Sequence, residues 1–235
     1  RKAFHTGIPA SGVAIEHLML AATFVAAAVT SREKKHLALA TGRFLPAGVK
    51  SVAEIITSVL ASAMTLAFGL SALSFARNAF TAADKVAFLP KRLVVLVMAA
   101  GFLIMSARFV IGLGKRAARV GAAIAAATLG LFFGFDPLVQ FVTAGGSISV
   151  PVLASIGEFL RPLITAAAGP MIFVLVAAAV MGLPIFAVLG GIGYLLFARS
   201  GMPLEIIPNQ AYGVLTGTAI PAIPLFAAVG FFLSE

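Results

Sequence analysis

The chain has 235 residues, of which 61% are hydrophobic and 11% are charged, and its mean hydropathy is +1.10. A soluble domain carries about 25% charged residues, so this composition excludes most soluble enzymes and predicts a membrane protein. The net charge of +9 does not indicate nucleic acid as a partner, because the basic residues form short clusters between apolar runs and no basic face. The absence of cysteine excludes disulfides and Cys-ligated metals.

Six apolar stretches approach the length of about 20 residues that a helix needs to cross a bilayer. They cover residues 13–30, 52–76, 93–113, 120–135, 170–197 and 219–233. Their apolar residues are continuous and do not alternate with polar ones, which favours helices over strands. The sequence therefore predicts an all-α polytopic membrane protein with about six transmembrane helices. Interfacial amphipathic segments are expected at residues 37–50, 156–164 and 204–215.

The first predicted span carries Glu16 and His17 in its first turn. Two interpretations of Glu16 stay open: a contact at a subunit interface or with headgroups, and stabilisation of the helix N-terminus by its negative charge. Arg32 and His36 follow in a charged stretch after the span. The three histidines of the chain match no zinc motif, and we expect them at the membrane interface.

The second predicted span has Glu54 near its start, where it either pairs with Lys50 or serves a proton relay. Small hydroxyl residues along this span suit close helix packing in lipid. They are Thr57, Ser58, Ser62, Thr65, Ser71 and Ser74. Arg108 ends the third span, and it either snorkels to the surface or forms a fixed ion pair.

Residues 136–169 are expected to contain no span, because glycines and a proline interrupt them, and residues 136–145 are the predicted linker between two modules. Gly182 and Pro184 stand in the middle of the fifth predicted span. A proline there removes a backbone hydrogen bond, which indicates either a packing kink or a moving, ion-lining element. Pro221 and Pro224 open the sixth span.

The positions of the 17 Lys and Arg residues indicate the orientation of the spans. Alternate loops divide them into a set of ten, which includes Arg108 and Arg199, and a set of seven, which includes Arg77 and Arg161. The larger set is predicted to be cytoplasmic, since cytoplasmic loops are enriched in these residues.

Two passages resemble the tripartite ATP-independent periplasmic (TRAP) transporters. The residues around Glu16, the stretch SREKKH at 31–36, FLP at 44–46 and ARF at 107–109 are similar to the small membrane subunit. The stretches MGLPIFA at 181–187, MPLEIIPNQ at 202–210 and AIPLFAAVG at 222–230 are similar to the beginning of the large membrane subunit. The resemblance thus implies that the small and large subunits are fused in one chain.

This resemblance implies three regions. Residues 1–119 would be a small-subunit-like module without its first helix, residues 120–145 a connecting helix and linker, and residues 146–235 the first part of a transport module. The chain would be truncated at both ends. Sodium and substrate ligands are expected after Glu235, so none is assigned, and no metal site or other cofactor is expected.

The implied function is secondary transport and not catalysis. The protein would use a sodium gradient to import an organic acid, such as a carboxylate, a dicarboxylate or a sialic-acid-like molecule, delivered by a periplasmic binding protein. The expected location is the inner membrane of a bacterium or archaeon, with the rest of the large subunit and the lipid bilayer as partners. Two alternatives stay open: a scaffold or assembly protein that transports nothing, and a lipid-modifying membrane enzyme. The candidate structural or interface residues are Glu16, Arg32, His36, Arg108, Gly182, Pro184, Pro221 and Pro224.

Overall fold

The structure is a computed structural model that describes residues 11–32, 37–38, 46–81, 83–86, 88–114, 116–144, 151–217 and 219–234. The helices are α1 Ser11–Arg32, α2 Ala47–Asn78, α3 Lys91–Ile111, α4 Arg116–Phe133, α5 Phe135–Thr143, α6 Pro151–Val180, α7 Ile185–Arg199, α8 Ile206–Leu215 and α9 Ala219–Ser234. A short antiparallel hairpin, β1 Lys85–Val86 and β2 Leu89–Pro90, lies between α2 and α3.

Five helices among the described residues are long and apolar enough to cross a membrane: α1, α2, α3, α4 and α6. The first four coincide with the first four predicted spans, and this confirms the all-α polytopic membrane fold. Helix α8 occupies the predicted interfacial segment at 204–215, and α9 occupies the sixth predicted span. Half of the predicted surface segment at 37–50 lies outside the described residues, and residues 47–50 belong to the start of α2.

The prediction of one span at 170–197 is wrong, because the chain reverses at residues 181–184. Helix α6 ends at Val180, and α7 begins at Ile185 and packs back against α6. Gly182 has φ +100°, a left-handed conformation that glycine adopts without steric cost. Its N–H donates to Ala179 O at 3.1 Å, and the Leu183 N–H donates to Ala178 O at 2.9 Å. This hydrogen-bond pair is the Schellman motif that ends helices, so the Gly-Leu-Pro sequence is a turn and not a kink.

The expectation that residues 136–169 contain no span is also wrong. Most of this stretch forms α5 and the first part of α6, which continues through Pro162 and Pro170. Pro151 stands at the start of α6, where the missing N–H of proline leaves no helical bond unmade. Prolines further along a membrane helix are tolerated when neighbouring groups satisfy the freed carbonyls. The division into modules at 119 and 145 stays a prediction.

Helix α2 is the centre of the bundle. In its most apolar window 83% of the residues are buried, compared with at most 39% in the other four spanning helices. Its predicted hydroxyl positions Ser62, Thr65, Ser71 and Ser74 are all buried. Because their side chains are small, neighbouring helices approach the backbone of α2 closely, which is how helices associate in lipid.

Helix α4 approaches α2 through a glycine. A Cβ added at Gly130 would lie 2.9 Å from the backbone oxygen of Ala63 and 2.9 Å from the Cβ of Leu66. Both atoms are fixed to the α2 backbone, so a change of rotamer cannot move them away. The fourth span therefore packs on α2 at a distance that only a glycine permits.

Each end of the bundle carries one of two arginines, Arg108 or Arg77. The Arg108 end holds the C-terminus of α3 and the turn between α6 and α7, while the Arg77 end holds the C-terminus of α2, the β-hairpin and α5. Ala198 lines a cavity with Asp136 and Arg161, which places the end of α7 towards the Arg77 end. The assignment of Arg199 to the cytoplasmic set is therefore wrong, since the α6–α7 reversal puts it with Arg161. The basic residues then divide nine to eight, and the charge bias no longer indicates an orientation.

Candidate functional site

The candidate site is the contact surface between residues 1–119 and the helices that follow. At the Arg108 end, residues 37–38 meet the turn between α6 and α7. The Ile185 N–H donates to Leu37 O at 2.9 Å, and Ala38 forms an antiparallel bridge with Pro184. The first N–H groups of a helix have no hydrogen-bond partner within the helix. The Leu37 carbonyl therefore satisfies an otherwise unpaired N–H group at the start of α7.

Three of the predicted residues meet beside this contact. Arg108, Gly182 and Pro184 line one cavity of about 150 Å³. Its other walls are Ser31, Ala38, Glu54, Thr57, Ser58 and Phe109. The Phe109 ring stacks on the ring of Phe186 at 6.3 Å, which adds an apolar contact between α3 and α7. The sequence left two interpretations of Arg108, snorkelling to the surface and a fixed ion pair. In the part of the chain that the structure describes, no carboxylate forms an ion pair with Arg108.

Nearer the Arg77 end, a buried tyrosine connects three helices. The Ser71 hydroxyl of α2 donates to the Tyr194 hydroxyl at 3.2 Å, and Tyr194 donates to Phe133 O at 3.2 Å. Phe133 O has no helical partner because residue 137, whose N–H it would accept, is a proline. Tyr194 is fully buried and satisfies that carbonyl. Sequence reasoning missed this residue, although a proline four residues after Phe133 indicates an unsatisfied carbonyl.

At the Arg77 end, Glu205 joins α2 to α5 and α8. The Ser74 hydroxyl donates to Glu205 Oε1 at 2.6 Å, and the Asn78 amide donates to Ser74 Oγ at 3.1 Å. The Gln140 amide nitrogen, when oriented towards the carboxylate, donates to Glu205 as well. Glu205 directly precedes α8, where the helix macrodipole favours a negative charge. It was not among the predicted site residues, although it lies in the MPLEIIPNQ stretch.

Arg77 holds the end of α5 against α2. Its guanidinium donates to Phe141 O at 2.7 Å and to Ala144 O at 2.8 Å, and it lies 5.2 Å from the centre of the Phe141 ring. The last carbonyls of a helix lack partners within the helix and carry partial negative charge. A cation from residues 1–119 therefore caps a helix of the following region.

A second contact at this end joins α1 to α8. His17 is buried, its Nδ1 lies 2.7 Å from Val13 O, and its Nε2 lies 2.8 Å from the Tyr212 hydroxyl. A carbonyl oxygen only accepts, so Nδ1 carries the proton and Nε2 accepts from Tyr212. Burial raises the pKa of Tyr212, which keeps its hydroxyl protonated and able to donate. His17 thus bridges α1 and α8 near the start of α1, and its place at the membrane interface stays a prediction.

The remaining predicted residues are not brought to one place. Glu16 lies in the second turn of α1, at the end opposite to Arg108, and its carboxylate makes no hydrogen bond or ion pair with any residue the structure describes. His36 lies outside the described residues, as do the side chains of Arg32, Pro221 and Pro224. Their roles stay predictions.

The Arg77 end also carries a polar cavity of about 280 Å³ between α5, α6 and the end of α7. Asp136 and Arg161 line it, with Asp136 Oδ2 3.8 Å from Arg161 Nε. Arg161 is 71% exposed, so this ion pair contributes little to stability. Both residues of this ion pair nevertheless contribute to a charged surface at the Arg77 end.

The comparisons with known proteins follow the same division of the chain. No curated protein and no solved structure matches it. The family model described as "Tripartite ATP-independent periplasmic transporters, DctQ component" matches residues 1–119, the region that contains α1, α2, α3 and the start of α4. This is a family of transporter components and not of enzymes, and its members work with a periplasmic binding protein and a large membrane subunit. Because the match spans 119 of the 235 residues, this multi-pass membrane protein belongs to the DctQ family and is a membrane component of a TRAP transporter.

Proposed function

We propose that this protein serves sodium-coupled import of an organic acid across a bacterial inner membrane, with the substrate delivered by a periplasmic binding protein. In this proposal, residues 1–119 are a bracing module, and residues 146–235 are the opening part of a fused, large-subunit-like transport module. The observation that carries the proposal is that the DctQ region is bonded to the following helices at both ends of the bundle.

These contacts support a bracing role because they fix two regions in one relative position. The Leu37–Ile185 hydrogen bond lies at the Arg108 end, and the Ser74–Glu205 hydrogen bond lies at the Arg77 end. Two polar contacts at opposite ends of a bundle restrict both tilt and sliding of the packed helices. In an apolar solvent such bonds have few competing partners, so they hold the regions together.

The position of the polar loops supports the proposed partner. The β-hairpin between α2 and α3 and the Asp136–Arg161 cavity both lie at the Arg77 end. A soluble binding protein docks most readily on a charged, water-exposed surface, since complementary charges steer association. In the proposal this end faces the periplasm.

Uptake by the complete transporter in proteoliposomes tests the proposal. We expect accumulation of a radiolabelled organic acid only when an inward sodium gradient and the cognate binding protein are both present. A potassium gradient of equal size is the control for the cation, and an unrelated binding protein is the control for delivery. Uptake that persists without sodium contradicts the coupling, and uptake without the binding protein contradicts delivery. The absence of any flux with all components present contradicts transport and favours a scaffold protein.

A further inference from the structure

We propose that the Arg108 end carries a binding site for one phospholipid, with its phosphate on Arg108 and an acyl chain between α1 and α3. Arg108 is half-buried three residues before the end of α3. Its Nε is buried without a hydrogen-bond partner, and the guanidinium makes no ion pair within the described ranges. A buried charged group without a partner is costly, so a ligand that accepts its hydrogen bonds is favoured.

Most other arginines with described side chains have a partner or are exposed. Arg77 and Arg92 donate to backbone carbonyls, and Arg161 pairs with Asp136. Arg116 is exposed at the start of α4. Arg119 is also half-buried with an unpartnered Nε, but its Nη2 donates to Gly114 O at 3.3 Å. Arg108 differs because it combines partial burial and a buried, unpartnered Nε with no hydrogen bond or ion pair to a described residue, and its guanidinium fork matches the oxygens of a phosphate.

The cavity of about 150 Å³ beside Arg108 supplies the polar part of the site. The Ser31 and Thr57 hydroxyls on its wall donate to carbonyls of their own helices, at 2.6 and 2.8 Å. Ser58 on the same wall makes no such bond to a described residue, so its hydroxyl is available to a phosphate oxygen. Glu54 also lines the cavity, and its charge disfavours a headgroup with a second negative charge beyond the phosphate.

On its other side, Arg108 closes an apolar groove of about 340 Å³ between α1 and α3. The groove is lined by Phe24, Val25, Ala28, Val29, Val97, Ala100, Gly101 and Ile104. Val25, Val29 and Ile104 are exposed on the surface of two spanning helices, so the groove faces the hydrocarbon of the bilayer. Only a lipid has both an acyl chain for this groove and, at the end of the helix, a phosphate for Arg108.

The continuity of groove, arginine and cavity therefore distinguishes a phospholipid from a free anion. An inorganic phosphate would use the cavity and leave the groove to bulk lipid. A diacylglycerol would use the groove and leave Arg108 without a partner. Inorganic phosphate and diacylglycerol therefore each occupy only one half of the site. A comparison of their binding with that of a phospholipid tests whether both halves contribute.

Native mass spectrometry of the delipidated full chain in detergent tests the site. The probes are dioleoyl phosphatidylethanolamine, dioleoylglycerol and inorganic phosphate. We expect the unmodified protein to retain one phosphatidylethanolamine, and Arg108→Gln to bind it about 10- to 100-fold more weakly, the range for a lost charge-assisted hydrogen bond. The control Arg116→Gln removes an exposed arginine at the same end and is expected to bind like the unmodified protein.

A second variant keeps the test valid if Arg108→Gln does not fold. Ala100→Phe fills the groove from an exposed position without changing any charge, and we expect it to lose the lipid as well. Equal retention by Arg108→Gln and Arg116→Gln overturns the proposal. So does equal binding of dioleoylglycerol, because the headgroup would then play no part. Binding of inorganic phosphate as tight as that of the phospholipid also overturns it, because the groove would then be irrelevant.

Discussion

Gly130 gives a direct test of how the fourth span packs on the DctQ region. A methyl group added there meets the Ala63 carbonyl oxygen at 2.9 Å, so α4 must move away from α2 in a Gly130→Ala variant. Gly121 lies in the same helix, and a methyl group added there meets nothing within 4 Å. The two substitutions gain the same helix propensity, about 1 kcal/mol, and they differ only in the packing.

The expected difference in stability follows from the overpacking. Forcing an extra carbon into a close-packed contact costs about 1–3 kcal/mol. For a chain of this size each kcal/mol shifts the Tm by about 2–4 °C, so Gly130→Ala is expected to melt about 2–12 °C below Gly121→Ala. The chain has no tryptophan, so circular dichroism at 222 nm in detergent is the suitable measurement. Equal Tm values for the two variants would refute the packing derived from the structure.

Two further predictions concern individual hydrogen bonds. Tyr194→Phe removes a buried hydroxyl, which leaves the Ser71 hydroxyl and the last carbonyl of α4 without their partner, and we expect the free energy of unfolding in detergent to fall by about 1–3 kcal/mol. In the loop before β1, hydrogen bonds from the Thr81 N–H and hydroxyl hold the pKa of Asp84 below its ordinary value of 3.8. A lowered folded-state pKa means that this contribution to stability is complete above pH 3.8 and is lost as the pH falls through the folded pKa. An NMR titration of the carboxyl carbon should show that Thr81→Val raises the pKa of Asp84, because one of the two donors is lost.

Each of these predictions has its own control. For Tyr194→Phe, the comparison is Tyr212→Phe, which removes the donor to His17 from a less buried ring, so we expect it to lower the stability less than Tyr194→Phe. An undiminished stability of the Tyr194 variant would show that the Phe133 carbonyl is satisfied in another way. For Asp84, Thr57→Val removes a hydroxyl far from the loop and should leave the titration unchanged. A pKa of Asp84 that is the same with and without the Thr81 hydroxyl would contradict the assigned cause.

The contacts between the DctQ region and the later helices share one physical feature: each satisfies a backbone or side-chain group that its own helix leaves open. Leu37 accepts from the first N–H of α7, Tyr194 donates to a carbonyl opposite a proline, and Arg77 donates to the last carbonyls of α5. In lipid no water replaces a missing partner, so these bonds contribute to holding the two regions together. A mutation in either region is therefore expected to destabilise both.

The helical class and the first four spans follow from the sequence alone. Length and hydropathy are properties of a continuous stretch, and a stretch of about 20 apolar residues has few alternatives to a membrane helix. The small hydroxyl residues of α2 likewise indicated a packed helix before any neighbour was known. Arg108, Gly182 and Pro184 were each selected as single residues, and the DctQ family was reached from motifs within residues 1–119.

Only the tertiary structure decided where these elements meet. Hydropathy is the same on both sides of residues 181–184, so the reversal there depends on Gly182 adopting a positive φ and on Leu37 supplying a partner for α7. Three residues are hydrogen-bonded to partners more than 100 positions away in sequence: Glu205, Tyr194 and His17. Tyr194 also donates to a carbonyl 61 positions away. A local pattern carries no information about such partners, because they come together only when the helices pack.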